Sequence, residues 1–384
     1  MRIFVSAGEP SGDLHGGNLV RELHRLLPGL DCVGFGGPRL QAAGCRLLYP
    51  LADNAVMGFV STLAHVPRFW RLLRQADRFF RDERPDALVM IDLPGFHWWL
   101  ARAAKARGVP VYYFMPPQMW AWAGWRVKKM RRSVDHALCS LTFEQRWYAE
   151  RGVNAHYVGH PYFDELPQQQ LDPDFLAAER ADGRPIVALL PGSRTSEVEL
   201  NFATQLEAAR LIHARRPDVR FLVASFKESQ RQLALEQLAR SPELPIQVHV
   251  GRTPEIIELA HSCIAVSGSV SLELLYRLRP TCIVYRTNPL YLWLTHRFKT
   301  VPYITLVNLL ADAELFPEFL SSRNESEAVA AHVLRWLNDG ASYRVLVDEL
   351  AALKARVAQP GACTRTAEYI LRTAAGPATA RRVA

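Results

Sequence analysis

Asp92 closes an unbroken apolar run, Ala87-Leu88-Val89-Met90-Ile91, which reads as a strand buried on both faces. A carboxylate at the carboxyl end of such a strand sits on the edge from which open parallel sheets bind their ligands. Partial burial raises its pKa and suits it to accept a proton from an attacking hydroxyl. The plainer reading is an Asp that caps the turn before Pro94. A second candidate is the loop Gly8-Glu9-Pro10-Ser11-Gly12-Asp13, which follows the strand-like Ile3-Phe4-Val5. It sets a carboxylate, Glu9, and a hydroxyl, Ser11, beside a helix start, where they suit recognition of a polar sugar ring. Taken only as a turn, it supplies Ser11 or Asp13 as a helix cap. The spaced glycines of a dinucleotide site are absent, which disfavours a nicotinamide cofactor.

Two further loops repeat the strand-to-helix pattern. Ile186 to Leu190 runs into Pro191-Gly192-Ser193-Arg194, where loop N–H groups around Ser193 and the planar Arg194 guanidinium suit a diphosphate. Such a clamp neutralises a departing nucleoside diphosphate without a metal; the alternative is a surface ion pair between Arg194 and Glu197. After Cys263 to Val266, the loop Ser267-Gly268-Ser269 permits close approach of a ligand. Glu273, one turn into the next helix, suits the two hydroxyls of a ribose, and the plain reading is a helix capped by Ser271. The six cysteines are scattered without C-x-x-C or His-rich spacing, so reduced, buried thiols are expected, with no metal site and no cofactor.

These loops need elements to position them. With 384 residues, 49% of them hydrophobic, the chain has enough apolar material for two cores. Strand and helix signals alternate from residue 3 to 114, falter across the turn-rich stretch 166–184, and restart at Ile186. The expected architecture is α/β, with two Rossmann-like domains facing across a cleft. The expected boundaries are 1–165, a linker at 166–184, a second domain at 185–345 and a helical tail at 346–384. A net charge of +8 favours anionic partners, and no nucleic-acid module is recognisable. Met1 to Val5 enters a strand at once, leaving no room for a signal peptide, and no apolar run approaches the ~20 residues of a membrane span. A cytoplasmic protein is expected.

From Val66 to Phe80, apolar Val66, Phe69, Trp70, Leu73, Ala76 and Phe80 recur at helical spacing among Arg68, Arg71, Arg74 and Arg78. A basic amphipathic helix of this kind lies on an anionic membrane surface or packs its apolar face on the sheet. Val66, Phe69, Trp70 and Leu73 are the candidate lipid contacts. The aromatic stretch Met115 to Trp122 follows another strand end.

In order along the chain, Ala7 to Asp13, Ile91-Asp92-Leu93-Pro94, Pro116 to Trp122, Val158-Gly159-His160-Pro161, Leu189 to Arg194 with Glu197, Ser267 to Glu273 and Asn308-Leu309-Leu310 resemble the lipid-A-disaccharide synthase family. The resemblance spans nearly the whole chain. It implies a GT-B fold whose carboxyl-terminal helices pack back or are exchanged in a homodimer. It implies an inverting transfer from UDP-2,3-diacylglucosamine to 2,3-diacylglucosamine 1-phosphate, with UDP lost, at the inner face of the cytoplasmic membrane. By the family's pattern Glu9, Ser11 and Asp92 serve the acceptor or catalytic side. Ser193, Arg194, Ser267, Gly268, Glu273 and Asn308 serve the UDP side. Two positions depart from that pattern: Ala123 and Gly124 follow Trp122 where a basic residue is usual, with Arg126 as the stand-in, and Val307 replaces a proline. Alternative readings of the same fold are another UDP-N-acetylglucosamine transferase or epimerase, or a non-catalytic nucleotide-sugar or lipid-binding protein.

Overall fold

Each of the two strand-loop-helix signals, at Ile3 and at Ile186, opens the central strand of its own parallel sheet. The computed structural model describes residues 1–52 and 62–374. The chain divides into two compact units, one of Met1–Glu165 plus the segment from Gln359 onward, the other of Leu166–Ala358.

The first unit carries β1 (Arg2–Ala7), β2 (Asp31–Gly36), β3 (Arg46–Pro50), β4 (Ala87–Ile91), β5 (Val111–Phe114), β6 (His136–Cys139) and β7 (Ala155–Tyr157), in the order β3-β2-β1-β4-β5-β6-β7. Every pairing is parallel, and the inner strands are apolar on both faces because helices cover both. One face packs Phe4, Phe35, Phe80 and Tyr113 under the helix Thr62–Glu83. The other packs Ile3, Val5 and Val89 under the helix Pro10–Leu26 and, from the far end of the chain, the helix Ala362–Ala374. Register is what matters for the site: β1 and β4 pair Ala7 with Ile91, so the Gly8–Gly12 loop and Asp92 leave the sheet side by side.

The second unit carries β8 (Ile186–Leu190), β9 (Arg220–Ser225), β10 (Ile246–Val250), β11 (Ser262–Ala265), β12 (Thr281–Arg286) and β13 (Glu318–Ser321), ordered β10-β9-β8-β11-β12-β13 and all parallel. Here Leu190 pairs with Ala265, which sets the loop at 191–194 beside the loop at 266–269.

The expected boundaries shift in two places. The stretch 166–184 is no free linker: it holds the helix Pro173–Arg180, capped by Asp172, and Glu179 pairs with the buried Arg220 of β9. Asp-Pro here is an N-cap followed by a first-turn proline, a helix start rather than a turn. The expected tail 346–384 is split, since the helix Gly340–Val357 buries Leu350 and Leu353 in the second unit whereas Ala362–Ala374 buries Cys363, Ala367, Ile370 and Leu371 in the first. All six cysteines are buried and unbridged. Among the described residues no helix is long and apolar enough to cross a membrane.

The returning helix is seated by Asp164, whose carboxylate accepts from the backbone N–H groups of Gly361 (2.5 Å), Ala362 (3.0 Å) and Cys363 (2.8 Å). It thereby satisfies three donors that a helix start leaves without partners. Asp164→Ala is expected to destabilise the first unit by about 1–2 kcal/mol. Urea unfolding followed by circular dichroism measures this, and an unchanged midpoint refutes it.

Candidate active site

The end of β4 is a tight left-handed turn built from residues other than glycine. Asp92 has φ 59° and Leu93 φ 46°, a conformation that costs L-residues ~1–3 kcal/mol each. Four groups hold it. The main-chain carbonyl of Asp92 accepts from the Tyr113 hydroxyl (2.9 Å) and from Nδ1 of His97 (2.5 Å). Because a carbonyl only accepts, His97 carries its proton on Nδ1, and its Nε2 accepts from the Ser6 hydroxyl at 2.9 Å. Burial lowers the His97 pKa to about 4, so the ring stays neutral and keeps that tautomer. Gly8 completes the turn by its lack of a side chain: a Cβ there would lie 2.1 Å from Leu93 Cδ2 and 2.9 Å from Leu93 Cβ. Leu93 then leads into the helix Pro94–Ala106, with its N–H on Asp92 Oδ1 at 3.0 Å.

This turn brings the Asp92 carboxylate to the Ser11 hydroxyl. Burial raises the Asp92 pKa above its ordinary value, opposed by the Leu93 N–H and by the Ser11 hydroxyl, which donates to the carboxylate. Glu9 is half-buried at the start of the helix Pro10–Leu26 and Ser11 is exposed. The Tyr113 hydroxyl, its pKa pushed up first by burial and then by the charge of Asp92, also feels Glu9 and, in opposition, Arg126. Asp13 is turned elsewhere, accepting from Gly37, Arg39 and Leu40 N–H to seat the helix Pro38–Ala42.

In the second unit the loops are stapled by buried side-chain amides and one carboxylate. Gln230 donates to the Ser193 carbonyl (2.7 Å) and accepts from Phe226 N–H (3.0 Å), joining the loops after β8 and β9. Asn201 accepts from Arg286 N–H at the end of β12 (2.7 Å). Gly192, at φ 120°, turns the chain so that Glu197 accepts from both Ser193 and Arg194 N–H (3.0 and 3.1 Å). The Arg194 guanidinium is 74% exposed and pairs with Glu197 at 2.8 Å. The Ser267 hydroxyl donates to the Ile304 carbonyl (3.2 Å), while Gly268 faces open space. Glu318 on β13 accepts from Ile304 N–H, Thr305 N–H, the Thr305 hydroxyl and Asn308 Nδ2, at 2.7 to 2.9 Å.

Two expected ligand contacts are engaged internally. Asn308 is fully buried; it donates to Phe316 O and Glu318 and accepts from Leu315 and Phe316 N–H, so its amide shapes the loop rather than facing a ligand. Glu273 is buried and holds Arg277 at 3.1 Å, and Arg277 in turn reaches Glu258 and Gln169. Among the described residues no group of three or more His, Cys, Asp and Glu could hold a metal ion.

The family described as lipid-A-disaccharide synthetase matches residues 3–368. The chain belongs to this family. A lipid-A-disaccharide synthase of Anaeromyxobacter dehalogenans is 36% identical over 370 residues, covering 96% of this chain and 97% of the relative. That of Burkholderia pseudomallei is 37% identical over 377 residues, covering 97% and 96%. Among solved structures, Staphylococcus aureus MnaA in complex with UDP aligns with TM-score 0.69 at 12% identity, covering 97% of this chain and 96% of that one. MurG of Acinetobacter baumannii aligns with TM-score 0.59 at 14% identity, covering 96% and 98%. At such identities the likeness is one of fold, here the two-Rossmann GT-B arrangement of this family.

The family's aromatic stretch after β5 is also anchored from within. The buried Trp120 donates to Glu144 at 3.0 Å, and Ser140 N–H donates to the other carboxylate oxygen at 3.2 Å. The Tyr148 hydroxyl donates to the Pro117 carbonyl. Trp122 and Trp125 remain 56% and 67% exposed. Of the candidate lipid contacts, Phe69 stacks on Phe96 (ring centroids 5.4 Å apart) and Leu73 packs on the same core, both partly buried, in the sheet-packing arrangement that the spacing also allows. Their sequence spacing places them on the stripe that the sheet needs. Trp70 is exposed beside Trp99, and the Val66 side chain lies outside the described residues.

Two outcomes test this arrangement. Tyr113→Phe removes one donor from the Asp92 carbonyl; kcat is expected to fall about tenfold with the KM for a nucleotide donor nearly unchanged, and equal loss in both would contradict a positioning role. Burial raises the Glu144 pKa to about 7, so the stability it contributes is full below its ordinary value of 4.5 and is lost as pH rises through 7. Glu144→Gln, which cannot ionise, should therefore cost more at pH 5 than at pH 8, by about 2–3 kcal/mol, in urea titrations at the two pH values.

Proposed function

We propose that this chain is an inverting glycosyltransferase of lipid A biosynthesis, joining UDP-2,3-diacylglucosamine to 2,3-diacylglucosamine 1-phosphate with release of UDP. The observation that carries the reading is Asp92, a carboxylate raised in pKa by burial and fixed on a strained turn at a strand's carboxyl edge, in a chain of this family. In the proposed reaction the acceptor's 6-hydroxyl attacks the donor's anomeric carbon and Asp92 takes its proton. The bond from that carbon to the UDP oxygen breaks, its electron pair leaving with UDP, and a single displacement inverts the centre. Ser11 holds the base ionised, and Glu9 with Arg126 provides polar groups for the acceptor sugar and its phosphate.

The nucleotide falls to the second unit. Backbone N–H groups of Ser193 and Arg194 now sit on Glu197, as does the Arg194 guanidinium; a diphosphate offers the same donors a fuller negative charge. The Arg194 end of the pair is 74% exposed, so the guanidinium can turn to a phosphate, which replaces Glu197 as acceptor for the same three donors. Ser267 and Gly268 give the nucleotide its close approach, Glu273 keeps a carboxylate for the ribose, and Asn308 acts through the shape of its loop. The proposed place of work is the inner face of the cytoplasmic membrane, where both acylated sugars reside.

Incubating the purified protein with the two diacylated sugars and analysing products by mass spectrometry tests the reaction, and absence of both disaccharide and UDP would refute it. Asp92→Asn is expected to lower kcat by ~10²–10⁴ in a folded protein. Near-normal turnover would remove Asp92 from the mechanism. The ionised base is the active form, so kcat/KM should rise with pH through a pKa above the ordinary 3.8 of an Asp. Ser11→Ala should move that acid limb to higher pH, because the lost hydrogen bond is one that holds the pKa down.

A further inference from the structure

The helix Pro289–Phe298 carries apolar surface that nothing in its unit covers. Leu290 is 68% exposed, Tyr291 54%, Trp293 62%, Leu294 37% and Phe298 48%. Single exposed apolar residues are ordinary; five large ones on one ten-residue helix are a patch that needs a partner. The helix is built to be there. Pro289 stands in its first turn and the Asn288 side chain accepts from Tyr291 N–H at 2.7 Å, so both starting signals are present.

Charge narrows the partner. From residue 274 to 311 the sequence contains no Asp or Glu, while Arg286, Arg297 and Lys299 flank the patch. A second copy of this chain seated on the same face would set these cations against one another, in a protein already at +8. An anionic bilayer offers the opposite charge at its surface and an apolar interior beneath, and aromatic side chains with flanking Arg and Lys suit that boundary.

Position gives the patch a purpose. The helix starts three residues after β12 ends, on the carboxyl edge of the sheet that also bears the loops at 191–194 and 266–269. The chain leaving the helix returns directly to those loops, where Ile304 O accepts from the Ser267 hydroxyl and Ile304 N–H donates to Glu318. We infer that the helix Pro289–Phe298 is a lipid-contacting element of the second unit, laying Leu290, Trp293 and Phe298 into an anionic bilayer surface beside the donor-binding loops. The inference rests on the proposed function for its purpose: a diacylated donor whose nucleotide is held by these loops keeps its acyl chains at the membrane, and the unit that holds it needs its own lipid contact.

The test is co-sedimentation of the full-length protein with vesicles of phosphatidylethanolamine and phosphatidylglycerol, against vesicles of phosphatidylcholine alone. Trp293→Ser combined with Phe298→Ser is expected to weaken binding to the anionic vesicles at least tenfold. Turnover of substrates dispersed in detergent should stay within about twofold. Arg297→Glu, a single exposed change that leaves the apolar patch whole, should weaken binding several-fold at low salt and less at high salt. Unchanged vesicle binding in both folded variants overturns the inference. So does a dimer, seen by light scattering, that the double variant converts to monomer while vesicle binding persists. Because sedimentation needs no catalysis, loss of binding in a protein that makes no disaccharide would keep the surface and refute only the reaction.

Discussion

The candidate site of the first unit depends on one main-chain carbonyl, that of Asp92. A left-handed pair of ordinary residues at the end of a central strand relaxes unless something holds it. Here the carbonyl takes two hydrogen bonds, from Tyr113 on the neighbouring strand and from His97 one turn into the following helix. The second bond requires a neutral ring with its proton on Nδ1. Burial and the Ser6 hydroxyl enforce that state, so a serine on β1 reaches through the imidazole to fix a carboxylate on β4. The parallel register of β1 with β4 makes this chain of contacts short, and the same register delivers Ser11 to the carboxylate.

The second unit solves the positioning problem with amides. Gln230, Asn201 and Asn308 each bond backbone on neighbouring segments, and Glu318 gathers four donors from the end of the loop that follows the apolar helix and the helix after it. The three amides are buried and Glu318 is half-buried, and their hydrogen bonds fix the loops before any ligand arrives. Arg194 is the opposite case, an exposed side chain with one weak partner. Fixed backbone donors with a movable guanidinium suit a ligand that enters charged and leaves charged.

Much of this was legible in the sequence, and the rest was not for definite reasons. Short apolar runs announce β1, β4, β8 and β11, and the loops after them announce the candidate sites, because buried parallel strands admit little else. The strands β3, β6, β7 and β13 do not show in the sequence: they are three to five residues long, and each carries a polar residue, Arg46, His136, His156 and Glu318. Asp92 stood out by position, whereas His97, Tyr113 and Ser6 did not, since a histidine inside Phe-His-Trp-Trp looks like core until its tautomer is read from its neighbours. Asn308 is singled out by the resemblance, and sequence cannot show that its amide already makes four hydrogen bonds inside its own loop. Val66, Phe69, Trp70 and Leu73 form one helical stripe in sequence, and the structure divides its described members, with Phe69 and Leu73 on the core and Trp70 on the surface.

On the proposed function, that division moves the lipid contact of the first unit. An apolar stripe on a surface helix first satisfies its own sheet, and in Thr62–Glu83 the residues Leu72, Ala76 and Phe80 are fully inside, with Phe69 and Leu73 beside them. What remains outside on this unit is aromatic and comes from separate segments: Trp70, Trp99 paired with it at 6.1 Å, and Trp122 and Trp125 after β5. Tryptophan is amphipathic, and Arg102 over the Trp99 ring adds a cation where anionic headgroups would meet it. On the proposed function, a few half-exposed indoles with arginines suit shallow, reversible attachment. An enzyme that must take up one lipid and release a larger one is better served by such attachment than by a deeply inserted helix.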